Sequence, residues 1–250
     1  MHQEKFFNEA AHFYDEMINP ERLINLRAIK ISKLFGDETI STAADLGCGT
    51  GNDTIALAIN NIKATGFDIS AQMIKAAKAK SQRQGVDAEF VHSDLKSIDI
   101  KYNDYFDLAV SFGNALANVQ KKDLVAAFKR INSLLKSGKK FLLQILNYDM
   151  ILRKGERIIN ITRNGNDFFV RFYDFLEKPG ELNFNILRFS ENDTKNRELI
   201  ETKLYPYNAS FLKDCLKKCG FINIKVYQDL DKNKFQKFKS KDIIIISEKK

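Results

Sequence analysis

The stretch Ala44-Asp45-Leu46-Gly47-Cys48-Gly49-Thr50-Gly51 restricts the fold of this chain more than any other. An apolar run ends in an acid and opens into a loop with glycine at every second position. A second apolar run closes on Gly66-Phe67-Asp68-Ile69-Ser70, again ending in an acid. Glycine has no Cβ, so such a loop takes up positive φ and lets ligand atoms approach the backbone. The two units describe strands of an α/β sheet, the first feeding a ligand-binding loop and the second presenting Asp68 to a ribose. An adenosine-containing ligand is the expectation.

The dinucleotide fingerprint spaces its glycines G-x-G-x-x-G, which serves a pyrophosphate at a helix N-terminus. Here Gly47, Gly49 and Gly51 give G-x-G-x-G, with Asp45 two residues before the first. A carboxylate there suits a ligand bearing an ammonium or sulfonium better than a pyrophosphate. Taken alone, three glycines also fit a plain strand-to-helix turn.

The rest of the chain supplies the context. Residues 4–17 and 21–35 read as two helices, the second with Pro20 at its opening turn and Leu23, Leu26, Ile29, Ile31 and Leu34 as its apolar stripe. Strand 42–46, helix 53–60, strand 64–67, a helix capped by Ser70 and running to 84, and strand 88–91 follow. Strand 106–112 is almost continuously apolar, as a strand buried on both faces should be. Leu124, Phe128, Ile131 and Leu135 stripe the next helix, Gly138 reads as its left-handed cap, and 140–146 is a fifth strand. Such alternation argues for a parallel sheet with helices on both faces.

After residue 147 the pattern changes to strands at 157–162, 167–175, 182–189 and 199–204, with turns at Asn164-Gly165 and Pro179-Gly180. Helical spacing returns with Phe211, Leu212, Cys215, Leu216 and Cys219, stopped by Gly220. Strands 222–227 and 242–247 then form an antiparallel edge hairpin. Three parts result: an N-terminal α/β core over 1–146, an inserted antiparallel sheet over 147–206, and a C-terminal helix and strands over 207–250 that complete the core.

The 250 residues easily bury a core. No apolar run approaches the ~20 residues that cross a bilayer, and the N-terminus lacks a signal-peptide apolar region. Cys48, Cys215 and Cys219 show no ligand or disulfide pattern, which fits free thiols in a cytoplasmic protein. The net charge of +8 invites an RNA-binding reading. Residues 231–250 hold seven lysines against three acids, but without an arginine cluster or a helical stripe, so solvated loops are preferred.

The ordered set Asp45-Leu46-Gly47-Cys48-Gly49-Thr50-Gly51, Asp68-Ile69-Ser70, Ser93-Asp94-Leu95 and Phe106-Asp107-Leu108 resembles class I S-adenosylmethionine-dependent methyltransferases over residues 40–146. Phe112-Gly113-Asn114-Ala115-Leu116, Asn147-Tyr148-Asp149 and the inserted sheet are similar to glycine and glycine/sarcosine N-methyltransferases. The resemblance implies a Rossmann-like α/β fold: a seven-stranded sheet of order 3-2-1-4-5-7-6, only strand seven antiparallel, with the inserted β-sheet as a lid over the substrate. It also implies S-adenosyl-L-methionine as methyl donor, leaving S-adenosyl-L-homocysteine.

On that resemblance, Gly47, Cys48, Gly49 and Gly51 wrap the methionine portion, Asp45 lies near its amino group, and Asp68 accepts both ribose hydroxyls. Ile69 and Met73 flank the adenine, Asp94 accepts its amino group, and Leu95 supplies a backbone amide; Ser93 and Phe112 belong to the same set. Arg22 aligns with an arginine that pairs with the methionine carboxylate, and Tyr14 closes over the cofactor. Arg22 also reads as a solvated helix arginine, Met73 as core and Tyr14 as packing.

For the acceptor, Asn114 is placed to orient it, with Tyr148 and Tyr173 as pocket walls, although Tyr173 also fits an aromatic cluster with Phe168, Phe169, Phe172 and Phe175. Two departures matter. Leu146 stands where glycine methyltransferases carry the arginine that holds the substrate carboxylate, leaving Arg153, Arg157 or Arg171 to compensate, and Asn118 stands in place of a histidine. The resulting expectation is methylation of a small molecule at nitrogen or oxygen, by a monomer or homodimer without membrane association. Ser111-Phe112-Gly113-Asn114 is not the Asn/Asp-Pro-Pro-aromatic loop of amino-methylating nucleic-acid enzymes. An RNA methyltransferase and a non-catalytic S-adenosylmethionine-binding protein are the alternatives.

Overall fold

A computed structural model describes residues 2–36, 38–176, 180–193, 195 and 197–250. Its apolar runs assemble into one seven-stranded and one four-stranded sheet. Helices α1 (His2–Ala10) and α2 (Pro20–Phe35) precede β1 (Thr42–Leu46), α3 (Asn52–Ile59), β2 (Lys63–Asp68), α4 (Ala71–Arg83) and β3 (Glu89–His92). Then come β4 (Phe106–Ser111), α5 (Lys121–Leu134), β5 (Leu135–Leu146) and α6 (Tyr148–Lys154). Strands β6 (Ile158–Asn164), β7 (Asp167–Phe175), β8 (Leu182–Ser190) and β9 (Arg197–Leu204) form the second sheet. Helix α7 (Ala209–Lys218), β10 (Phe221–Tyr227) and β11 (Asp242–Lys249) return to the first.

The large sheet runs β3-β2-β1-β4-β5-β11-β10, the order that the resemblance implies. Strands β1 to β5 pair in parallel, and β11 is antiparallel to both β5 and β10. The order reverses between β1 and β4, so the loops after these strands diverge and leave a crevice at the strand ends. One sheet face packs on α5 and α7 through Phe67, Phe128, Phe141, Leu212 and Leu216. The other packs on α2 and α3 through Ile31, Phe35, Leu57, Val110 and Leu142.

The antiparallel sheet reaches the core through the N-terminal segment. Phe6 meets Phe184 at 5.9 Å between ring centroids, and Phe13 meets Phe169 at 5.7 Å. Met17, Met73, Ile186 and Ile200 complete this cluster, so α1 is held between the second sheet and α4.

Four local readings are corrected. The helix expected over 4–17 stops at Ala10, and a 3-10 turn covers Tyr14–Met17; the break turns Phe13 inward against Phe169. The buried face of α2 is Ile24, Ala28, Ile31, Leu34 and Phe35, whereas Leu26 and Ile29 are 49% and 64% exposed. Gly138, at φ +74°, is not a helix cap but lies inside β5. There the step Phe106 to Leu108 on β4 faces Leu135 to Lys140 on β5, and the extra residues bulge out. Helix α6 was not anticipated. Pro179 of the expected Pro179-Gly180 turn lies outside the described residues.

Candidate functional site

The loop after β1 is folded onto β2 before any ligand is considered. The amides of Gly47 and Cys48 both donate to the Phe67 carbonyl, at 2.8 and 3.0 Å. A Cβ on Gly51 would lie 2.7 Å from the Phe90 ring and 2.9 Å from the Ala77 methyl, so only glycine lets the loop enter α3 there. Gly49 differs: a Cβ on it would meet nothing within 4 Å. No packing demands glycine at this position, and the free space opens on a cavity.

That cavity, of about 300 Å³, lies over the ends of β1, β2 and β4. Gly47, Cys48, Gly49, Asp68, Ile69, Met73, Ser93, Asp94, Leu95, Phe112 and Tyr14 all line it. Asp68 is buried at the end of β2. Its Oδ2 accepts from the Gly49 amide at 2.8 Å and its Oδ1 from the Ser70 amide at 2.9 Å. One bond to each oxygen fixes the carboxylate and leaves lone pairs for two further donors. Burial pushes its pKa up, and the two amides oppose that shift. Ser93, the next wall residue, is held by its amide donating to the Asp68 carbonyl at 2.8 Å. Asp94 Oδ1 accepts from the Lys96 amide at 3.0 Å, and the Lys96 ammonium lies 3.2 Å from Asp123. Met73 is both core and wall, fully buried yet bordering the cavity.

Asp45 and Arg22 are placed otherwise. Asp45 lies beneath the loop, outside the cavity wall, and accepts from the Thr54 hydroxyl at 2.7 Å. Burial, reinforced by the charge of Asp53, pushes its pKa up to about 8. Arg22 is exposed and lies outside this cavity's wall; its amide caps on Asn19 Oδ1 at 3.0 Å. The arginine of α2 that reaches the site is Arg27. Its Nε donates to Asp53 Oδ1 at 2.5 Å, and its guanidinium lies over the Phe112 ring at 3.7 Å from the centroid. Asp53 and Phe112 both line the cavity.

A second ionic knot was missing from the sequence reading. The buried Lys80 ammonium donates to Asp15 at 2.9 Å, Thr50 at 3.1 Å and Asn52 at 2.5 Å, and the Thr50 hydroxyl donates to Asp15 at 2.7 Å. It ties the turn carrying Tyr14 to the glycine loop and α4. Burial pulls the Lys80 pKa down, opposed by Asp15.

A smaller cavity of about 140 Å³ adjoins the first. Phe7, Tyr14, Gly113 and Asn118 border both. Its other walls include Asn114, Leu146, Arg171, Tyr173, Phe184 and Leu204. Asn114, at φ +68°, donates from Nδ2 to the Tyr148 hydroxyl at 2.7 Å and accepts at Oδ1 from the Leu146 amide at 3.0 Å. Tyr148 is fully buried behind Asn114 and borders neither cavity. Tyr173 does border the second, with its phenol pushed up to about 12 by burial. Arg153 lies over Phe238 and Arg157 pairs with Asp174, which leaves Arg171 as the arginine in the cavity wall.

The larger cavity carries Asp53, Asp68, Asp94 and Asp123 against Lys96 alone, a balance that suits a cationic ligand. The buried Asp68 carboxylate and the open space at Gly49 are features that S-adenosylmethionine, with a ribose and a sulfonium, can use.

Comparison with known proteins agrees. Residues 43–138 match the family model described as a methyltransferase domain. The chain is 28% identical over 231 residues to carboxy-S-adenosyl-L-methionine synthase of Campylobacter jejuni, covering 89% of this chain and 88% of that one. It is 20% identical to the glycine/sarcosine N-methyltransferase of Aphanothece halophytica, covering 94% and 86%. The crystal structure of an S-adenosylmethionine-dependent methyltransferase from Clostridium acetobutylicum superposes with a TM-score of 0.77 at 22% identity, over 97% of this chain and 98% of that one. The motif set around Asp45 and Asp68, the order of the sheet and the family match therefore converge: residues 43–138 are a methyltransferase domain, in a chain with the fold of the S-adenosylmethionine-dependent methyltransferases.

Proposed function

We propose that this methyltransferase acts on a small-molecule acceptor lodged in the second cavity, with the β6–β9 sheet as its lid. The observation that carries the reading is the wall shared by the two cavities. Tyr14 and Asn118 border both, so a group in the smaller cavity lies next to a donor in the larger one. S-adenosylmethionine supplies a methyl group on a sulfonium, and transfer breaks that sulfur–carbon bond, leaves its electron pair on sulfur and forms a bond to the acceptor. The chain's own part is alignment, for which effective molarities on the order of 10⁵ M are available without acid or base chemistry. Asp68 would hold the ribose and Asp94 with Leu95 the adenine. Tyr14 would exclude water over the donor, and the Asn114 bridge would keep the acceptor wall rigid.

The acceptor atom follows from what the cavity lacks. Among its described wall residues there is no carboxylate and no histidine, and burial keeps Tyr14 and Tyr173 protonated. A neutral amine is nucleophilic without a base, so N-methylation fits better than O-methylation. The reading places the protein in the cytoplasm, where its free thiols stay reduced.

The test is S-adenosylhomocysteine formation with a panel of small amines and alcohols, alongside total RNA. Turnover with an amine and none with RNA is expected. RNA-dependent turnover would overturn the small-molecule reading, and tight donor binding without turnover on any acceptor would favour a non-catalytic binder.

A further inference from the structure

The second cavity has a charge that no described residue neutralises. Arg171, on β7, donates from Nε to Asn160 Oδ1 at 2.7 Å, and its terminal nitrogens have no hydrogen-bond or ion-pair partner among the described residues. The neighbouring arginines are engaged: Arg157 pairs with Asp174, Arg163 with Glu191 and Arg188 with Asp167. Arg171 stands apart from them because it borders the cavity, as the one charged group among the described wall residues, which are mostly apolar, such as Phe184, Ile186 and Leu204. Its charge bears on both phenols. Taking a guanidinium out of water without a counter-ion costs free energy, and the planar fork of donors matches a carboxylate. The acidic groups lie in the other cavity, so the two chambers have opposite character.

We infer that the methyl acceptor is an organic anion, a carboxylate on an apolar body, and that Arg171 is the residue that holds its charge. The inference rests on the second cavity being the acceptor site. Arg171 borders only the smaller cavity, whereas Asn118 and Tyr14 stand on the wall shared with the larger one. An anion fixed at Arg171 therefore directs the remainder of the molecule, with its nucleophile, toward the shared wall. Phe7, Leu146, Phe184 and Leu204 supply apolar cover for the body between the two ends.

The test is calorimetric and needs no knowledge of the natural acceptor. Acetate, benzoate, phenylacetate and 3-phenylpropionate are titrated into the full chain against their own amides, with and without saturating S-adenosylhomocysteine. At least one aryl carboxylate is expected to bind tenfold or more tightly than its amide. Arg171→Met should abolish that preference and Arg171→Lys should keep part of it. S-adenosylhomocysteine affinity within twofold of wild type would show that both variants are folded. If no carboxylate outbinds its amide in the wild-type protein, or if Arg171→Met keeps the preference, the inference is overturned. Failure of S-adenosylhomocysteine itself to bind would instead count against the methyl-transfer reading, because the titrations without it still report on the anion preference.

Discussion

Asp45 and Asp68 are both buried acids at strand ends, and their surroundings give them opposite tasks. Asp68 has one backbone amide on each oxygen and faces the cavity. Two hydrogen bonds to a charged acceptor contribute about 1.5–3 kcal/mol each, so Asp68→Ala should weaken S-adenosylmethionine binding by about 100-fold or more. Unchanged affinity in calorimetry would remove Asp68 from the ribose. Asp45 has only the Thr54 hydroxyl, and burial pushes its pKa up to about 8. The folded state therefore holds a proton that the unfolded chain, with an ordinary carboxylate near pKa 4, releases earlier. Its contribution to stability is complete below about pH 4 and is lost as pH rises through about 8. Asp45→Asn keeps an acceptor for Thr54 and removes the titration. Its denaturation midpoint should consequently fall less than that of the wild type between pH 5 and pH 9; parallel profiles would refute the assignment. Asn114 combines a left-handed backbone with two side-chain hydrogen bonds. Replacement by alanine should destabilise by about 2–4 kcal/mol, and by glycine about 1 kcal/mol less. Equal melting temperatures for the two variants would show that the backbone conformation carries no cost.

At the scale of the element, what could be read from the sequence followed from the range of the forces involved. Strand and helix alternation and the loop acids are local patterns that survive folding, and the sheet order came from the family resemblance those patterns carry. The face of α2 did not. Its leucines and isoleucines suggested one stripe, but Arg27 lies beside Ile24 and Ile31 on the inner side while Arg22 points out. The partners that draw Arg27 inward, Asp53 and Phe112, come from α3 and from the chain just beyond β4, and no local pattern announces them. Gly138 failed likewise, since a helix cap and an irregularity within a strand can both place a glycine at positive φ. Lys80 is the clearest case, a lysine that any composition rule assigns to solvent. Its three acceptors come from the N-terminal turn, the glycine loop and the start of α3. Removing the charge strands Asp15, itself about a third exposed, and breaks the tie between the Tyr14 turn and the loop. Lys80→Met should cost roughly 1–3 kcal/mol in chemical denaturation and should weaken S-adenosylmethionine binding as well. A loss of stability with cofactor affinity intact would mean that the turn does not help to enclose the donor.

For the whole molecule, the segment that must yield for ligands to pass can be identified from its packing. Both cavities are bordered by Phe7 and Tyr14, and α1 is held on one side by β8 and β9 and on the other by α4. The contacts are few: rings, chiefly Phe6 on Phe184 and Phe13 on Phe169, the Ser70 hydroxyl donating to Asn8 at 2.7 Å, and the Lys80–Asp15 knot at the turn. The large sheet, by contrast, is anchored by a continuous ladder from β3 to β10. Local opening draws on the least-anchored unit, here α1 with the Tyr14 turn and the sheet they touch. A ligand that binds only the closed form stabilises it by about 2.7 kcal/mol at one hundred times its dissociation constant. Saturation with S-adenosylhomocysteine should accordingly slow amide hydrogen exchange by about 100-fold wherever the amide opens through this unit, in residues 2–17 and in β7 and β8, while β4 and β5 exchange only by global unfolding. Phe6→Ala tests the coupling from the protein side. Truncating a fully buried aromatic costs about 3–5 kcal/mol, and part of that loss should appear as weaker ligand binding, because the unit would stand open before the ligand arrives. If ligand slowed exchange in the core strands but left the N-terminal segment unchanged, or if Phe6→Ala lowered stability without touching affinity, α1 would be a passive cover and the route into the site would lie elsewhere.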